Sequence, residues 1–331
     1  MGLLFGPAAG AAVAARRALP LAGGTIAFAL LRLPDGAIVP VDAVPEAQRG
    51  ALARFCALPP PWAGLPAGAQ VMGILNATPD SFSDGGRYPD AAAAIAAGIG
   101  MARAGAALVD VGGESTRPGA AAVSPAEEQA RILPVVAELV RAGVRVSVDT
   151  RHAATMRAAL DVGAAVINDV SGLRHDPESL GVVARAGCPV VVMHSRGTPA
   201  EMNQRAIYDD LLGEVAAELG AARDAAVAGG VAPAAIALDP GIGFAKSGAQ
   251  NLALLPRLAA LLGLGQRLVV GVSRKNFIGR LGGGLAPAER DPGSLAAGLF
   301  ALLLGATVLR THDVVATVRA IEVWRGLGAV E

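Results

Sequence analysis

From residue 71 onward the chain alternates between two patterns. Short apolar runs rich in Val, Ile and Leu are each followed by a longer, Ala-rich or amphipathic stretch of helical length. The apolar runs predict strands at 71–75, 107–111, 144–148, 165–167, 189–193, 235–238, 268–272 and 307–309. Helices fill the gaps, the first near 89–104 and the last over 313–326. One start signal is explicit. Ser124-Pro125-Ala126-Glu127 offers an N-cap hydroxyl, a proline at the first helical position and a glutamate at the third. Strands and helices in strict alternation predict an α/β fold, a (β/α)8 TIM barrel. A doubly wound open sheet is the alternative, but no G-x-G-x-x-G follows the first strand.

The polar residues are as ordered as the apolar ones, because each run stops in polar or glycine-rich sequence. The first, VMGILNATPDSFSDGG over 71–86, breaks at Asn76 into hydroxyls, carboxylates and glycines, a composition that puts chemistry at the C-terminal end of a strand. The second ends in Gly112-Gly113-Glu114-Ser115-Thr116-Arg117-Pro118-Gly119. Later runs end at Asp149, at Asn168-Asp169, at His194, at Asp239-Pro240-Gly241, at Ser273-Arg274-Lys275 and at Arg310-Thr311-His312. In a barrel all these ends converge on one face. Asp149, Asn168 and Asp239 each follow a run of Val, Ile or Leu, so they are expected to be largely buried and to need partners. Those partners are either backbone, Lys and Arg of the chain itself, or a ligand that presents several N–H donors. The cations lie apart from the acids. Lys275 follows the seventh strand and Arg310 and His312 the eighth, where barrels often hold phosphate, and Arg117 adds charge from the second loop. Arg310 and His312, two apart, share one side of a continuing strand and would clamp a single diphosphate.

Composition narrows the function. Among 331 residues, 28 are Lys or Arg and 28 are Asp or Glu, so the formal net charge is zero and a nucleic-acid partner is not expected. Cys56 and Cys188 make neither a metal spacing nor a disulfide framework, which fits a reducing cytoplasm. In the N-terminal MGLLFGPAAGAAVAARR the charges follow the apolar run, the wrong order for a secretory signal. The uncharged run from Gly293 to Leu309 is divided by Gly305 and Thr307 and reads as a buried helix followed by a buried strand, so no membrane span is expected. Residues 1–70 read as an appendage to the barrel of 71–331. Thr25–Leu33 and Ala37–Val41 would pair as a hairpin, Pro45–Leu58 would form a short helix, and Pro59-Pro60-Pro61 to Gly68 has the composition of a linker. Every candidate site residue lies beyond it, so a chain starting near Ala69 is expected to fold and act.

The segment ILNATPDSFSDGG resembles the first signature of the dihydropteroate synthase family, with Ala77 where Val is usual. SVDT (147–150), VINDVSG (166–172), ALDPGIGF (237–244), GVSRK (271–275) and RTHDV (310–314) are similar to its later motifs in order, and the resemblance runs from 71 to about 325. Ser195, in VMHSRGTP, stands where the family more often has Met. The resemblance implies that Asp149, Asn168, Asp239 and Lys275 hold a pterin, with Met193 lining its pocket. It implies that Asn76, Arg310 and His312 meet a diphosphate and its Mg2+, Asn76 as the metal ligand. Thr116, Pro118, Phe244 and Ser273 would surround p-aminobenzoate, and the assembly would be a homodimer. Loops 77–87 and 112–120, glycine-bearing, would close over the ligands with Phe82 as a plug. A pterin-dependent methyltransferase and a non-catalytic pterin-binding paralogue are the rival readings.

Overall fold

The computed structural model describes residues 3, 4, 6–33, 36–77, 91–115 and 122–328. Eight parallel strands form its centre: β1 (Gln70–Asn76), β2 (Leu108–Gly112), β3 (Val146–Asp149), β4 (Val166–Asp169), β5 (Val190–Met193), β6 (Ile236–Asp239), β7 (Arg267–Gly271) and β8 (Val308–Thr311). Each pairs with the next, and β8 pairs with β1, which closes the barrel and leaves no free edge. Helices lie between the strands, from Ala91–Arg103 after β1 to Val314–Gly328 after β8. The Ser124 hydroxyl accepts the Glu127 N–H at the start of the helix Pro125–Arg141, with Pro125 in its first turn. The uncharged run after Gly293 divides into the helix Asp291–Leu303 and β8, and among the described residues no helix is long and apolar enough to cross a membrane.

Several strands reach further toward their C-terminal ends than the apolar runs predict. Asn76, Asp149, Asn168, Asp239 and Arg310 are therefore ladder residues, inside strands instead of just past them. The reason is mutual: the strand ends stay in register, Asp149 beside Gly112 and Asn168 and Met193 beside Asp239, so parallel pairing continues through them. The candidate side chains thereby acquire strand rigidity.

The other end of the barrel carries the largest departure from the sequence reading. The 59–68 segment is no linker. Trp62 and Leu65 are buried against Met72, Leu108, Val166, Val191, Ala237, Val269 and Val308, the floor of the barrel. The Trp62 indole N–H donates to the Ala235 carbonyl at 2.8 Å. Arg267, 2 % exposed at the start of β7, donates to the carbonyls of Pro60 at 2.9 Å and Pro66 at 3.2 Å. Proline lacks an N–H but keeps its carbonyl, so a proline-rich strap supplies acceptors to a buried guanidinium without needing partners of its own. Above it, Leu30–Arg32 pairs with Ile38–Pro40 as the predicted hairpin has it, while Ala27–Phe28 pairs instead with Leu3–Leu4 and Leu19–Pro20. The helix Glu46–Cys56 packs on the 3-10 helix Leu255–Leu264, where Arg54 reaches the Gly263 carbonyl.

A chain that begins at Ala69 removes the floor and strips Arg267 of these acceptors. Contrary to the expectation from sequence, it should be insoluble or melt well below the full chain in a thermal scan. In the full chain, Trp62→Ala should cost about 3–5 kcal/mol in denaturant unfolding.

Candidate functional site

Two clusters at the C-terminal end of the barrel organise the site. The first lies across β2, β3, β4 and β8. The Arg310 guanidinium donates through Nε to Asp110 Oδ2 at 2.6 Å and through Nη2 to Asp149 Oδ2 at 2.7 Å. Asn168 Nδ2 donates to the same Asp110 oxygen at 2.9 Å. Arg310 is thus held between two buried carboxylates instead of projecting beside His312, and the internal-partner reading applies to Asp149. Burial pushes Asp149 up to about 7, with Arg310 pulling the other way and Asp110 adding to the rise. Burial works against the Arg310 charge, but Asp110 and Asp149 outweigh it and hold its pKa above the ordinary arginine value.

The second cluster is built on the turn after β6. Asp239 Oδ1 accepts the Gly241 N–H at 2.7 Å. Burial raises Asp239 to about 6, against that hydrogen bond and the Lys275 charge. Gly241 has φ +64°, and a Cβ there would lie 1.9 Å from the His194 carbonyl oxygen, so only glycine lets the turn press against the end of β5. Inside the turn Lys246, buried, donates to His194 Nδ1 at 2.8 Å, to the Gly241 carbonyl at 3.1 Å and to the Phe244 carbonyl at 3.0 Å. His194 Nε2 lies 3.1 Å from Glu218 Oε2. Burial, then the Lys246 charge, hold His194 down at about 2, so the ring is neutral. With Nδ1 accepting, the proton sits on Nε2 and points at Glu218. Burial lowers Lys246 to about 7, opposed by Asp239 and Glu218. Lys275 lies along Gly243, its Nζ 4.1 Å from the centre of the Phe244 ring.

Ser273 Oγ sits 2.9 Å from His312 Nδ1 and accepts the His312 backbone N–H at 3.1 Å, which ties the loop after β7 to the end of β8. Met193, buried, closes β5 beside Asp239. Asn76 ends β1 opposite Gly112. Arg151 makes a two-point contact with Glu114 at 3.1 and 2.8 Å, and Glu114 also accepts the Val123 N–H, so one carboxylate secures both flanks of the second loop. Thr116, Arg117 and Pro118, the Phe82 plug and most of the two loops read as lids lie outside the described residues. A cavity of about 570 Å3 opens beside Phe244, lined in part by Arg151, Arg174, Arg196 and Arg205, with no carboxylate among the described residues that line it.

Sequence reading brought together Asp149, Asn168, Asp239, Lys275 and Arg310, and the structure places them at one mouth. It missed Asp110, which interrupts the apolar run of β2, and Lys246 with His194. A charged residue within a strand of Val and Leu was the available signal for Asp110. Among the described residues no group of three or more His, Cys, Asp or Glu is placed to hold a metal ion.

A family model described as pterin binding enzyme matches residues 72–312. The dihydropteroate synthase of Mycobacterium leprae is 48% identical over 260 residues, spanning 77% of this chain and 92% of that protein. Among solved structures, the Xanthomonas albilineans dihydropteroate synthase with 4-aminobenzoic acid superposes with a TM-score of 0.75 at 46% identity, covering 80% of this chain and 94% of that one. The same enzyme in complex with 7,8-dihydropteroate gives 0.73 at 43% identity, over 80% and 95% of the two chains.

Lys246→Met keeps the length of the side chain but leaves the Gly241 and Phe244 carbonyls and His194 Nδ1 without their donor. It should cost about 2 kcal/mol or more in denaturant unfolding. In the unaltered protein His194 should show no titration between about pH 5 and 8 by NMR, as the Nε2–H tautomer.

Proposed function

The chain belongs to the dihydropteroate synthase family of pterin-binding enzymes, and on that premise we propose that it joins 6-hydroxymethyl-7,8-dihydropterin diphosphate to p-aminobenzoate with release of diphosphate. As a member of that family it is a transferase of folate biosynthesis. The observation that carries the reading is the grouping of Asp149, Asn168 and Asp239 at one mouth with Lys275, Arg310 and His312. A pterin ring offers an amino group and ring N–H donors on one edge, which suits a wall of carboxylate and amide oxygens.

The amine of p-aminobenzoate is neutral near pH 7 and carries its own lone pair, so the site needs no strong base. The demanding event is cleavage of the C–O bond as negative charge gathers on the leaving diphosphate. Arg310 has Nη1 uncommitted by its two carboxylate bonds, and His312 is fixed by Ser273. Both serve that charge. The Phe244 ring, with the Lys275 ammonium over it, would flank the aryl amine together with Ser273, and the family resemblance alone adds Thr116, Pro118 and the Arg117 charge, which lie outside the described residues. Mg2+ would be held by Asn76 and chiefly by the diphosphate itself. This fits a chain whose described residues gather no carboxylate cluster, since Mg2+ often binds through few protein oxygens plus substrate phosphates. When bound it supplies charge neutralisation on the leaving group. The active form is proposed to be a cytoplasmic homodimer. Phe300, Val315, Val323 and Leu327, exposed on the last two helices, are apolar surface available to a second copy. Residues 1–70 are taken as an N-terminal extension that completes the barrel floor.

Diphosphate release from the pterin diphosphate should require p-aminobenzoate. Methyl transfer from methyltetrahydrofolate instead would establish the methyltransferase reading, and pterin binding without release that of a non-catalytic paralogue. Asp239→Asn sets a donor against ligand N–H groups and should weaken pterin binding by at least about 2 kcal/mol in calorimetry. Because only an ionised carboxylate accepts with both oxygens and the Asp239 pKa is raised to about 6, affinity should hold above that pH and fall as pH drops through it. Arg310→Ala should weaken the diphosphate ligand far more than bare hydroxymethylpterin; equal losses would move the diphosphate elsewhere.

A further inference from the structure

Asp110 is fully buried in the middle of β2, between Ile74 and Ser147 in the sheet. A lone carboxylate there is costly, and the protein sets two donors on one of its oxygens: Asn168 Nδ2 at 2.9 Å and Arg310 Nε at 2.6 Å. The other oxygen, Oδ1, is buried without a hydrogen-bond partner among the described residues. An ionised carboxylate only accepts, so the amide of Asn168 has one orientation: its NH2 faces Asp110 and its oxygen faces away. The side-chain bonds of Asp110 among the described residues go to Asn168 and Arg310, so it acts through them. We propose that Asp110 is the positioning residue of the pterin pocket, which fixes Asn168 with its carbonyl oxygen presented to ligand N–H groups and holds Arg310 by Nε. This rests on the pterin-binding reading of the site and adds to it a determinant of ligand polarity, since a pocket whose amide is locked as an acceptor favours a ring edge of donors.

Both donors lie on Oδ2, so the effect of exchange turns on that one acceptor. In Asp110→Asn the amide oxygen can take the Oδ2 place and keep both bonds, while its NH2 falls at the Oδ1 place, where no hydrogen-bond partner meets it among the described residues. In Asp110→Leu no acceptor remains, so the Asn168 amide loses the contact that sets its orientation and Arg310 Nε loses its partner. With Asn168 already replaced by Ala, loss of Asp110 has no amide left to misorient.

The test is calorimetry with bare 6-hydroxymethylpterin, together with the KM for p-aminobenzoate at saturating pterin diphosphate. Asp110→Leu should raise the pterin Kd about tenfold or more while the KM for p-aminobenzoate stays within about twofold, and Asp110→Asn should hold the pterin Kd within about threefold of the unaltered protein. Asp110→Leu should add little to the loss in Asn168→Ala, a coupling that a purely structural role would not produce. Unchanged pterin affinity in Asp110→Leu, an equal loss in Asp110→Asn, or additive losses in the double variant would overturn the proposal. If Asp110→Leu does not fold, Asp110→Asn decides: a tenfold loss there overturns it. Failure of the unaltered protein to bind the pterin would instead overturn the functional reading.

Discussion

A guanidinium lies inside the barrel between two carboxylates, Asp110 and Asp149, and much of the site follows from keeping those charges paired. None of the three charges could be buried alone. Together they reach from β8 to β2 and β3, across strands that are not neighbours of β8, and so brace the mouth from within. Removing Arg310 would leave two buried carboxylates without their counterpart, so the cluster resists change for reasons of solvation as well as chemistry.

The turn after β6 solves a related problem with a single cation. In its protonated form Lys246 sets three protons on three acceptors, all of them neutral, and serves as a bolt between the end of β5 and the turn that carries Asp239 and Phe244. Glu218 holds His194 from the other side and is itself paired with Arg196 at the surface. A surface ion pair is thereby continuous, through one imidazole and one ammonium, with the backbone that shapes the pocket. Precision at the site comes from this succession of fixed donors and acceptors, each leaving the next a single orientation.

Asp149, Asn168 and Asp239 were legible in the sequence because each stands where an apolar run stops, and a stop in a barrel strand points at the functional face. Asp110 was legible only as a lone charge inside a run of Leu and Val, because its partners Asn168 and Arg310 come from other strands. Arg310 was legible as a site cation, but its bonds to Asp110 and Asp149 were not. Periodicity along β8 says which side a residue takes, while its partners on β2 and β3 depend on barrel closure, which no single strand encodes. The same limit explains the floor. Three prolines and a glycine-rich stretch have linker composition, and only the pairing of Arg267 with Pro60 and Pro66 shows that the rigid backbone is used for its carbonyls.

That floor also sets an order of events at synthesis. Trp62 leaves the ribosome early, yet its carbonyl partner at Ala235 lies 173 residues later, and Arg267 lies 207 residues beyond the Pro60 carbonyl it reaches. Until β6 and β7 have emerged, the nascent chain carries an indole and a leucine with no place to bury them. Closure of the barrel bottom is therefore a late, long-range step, and the interval before it is when the growing chain is most exposed to aggregation and most dependent on chaperones.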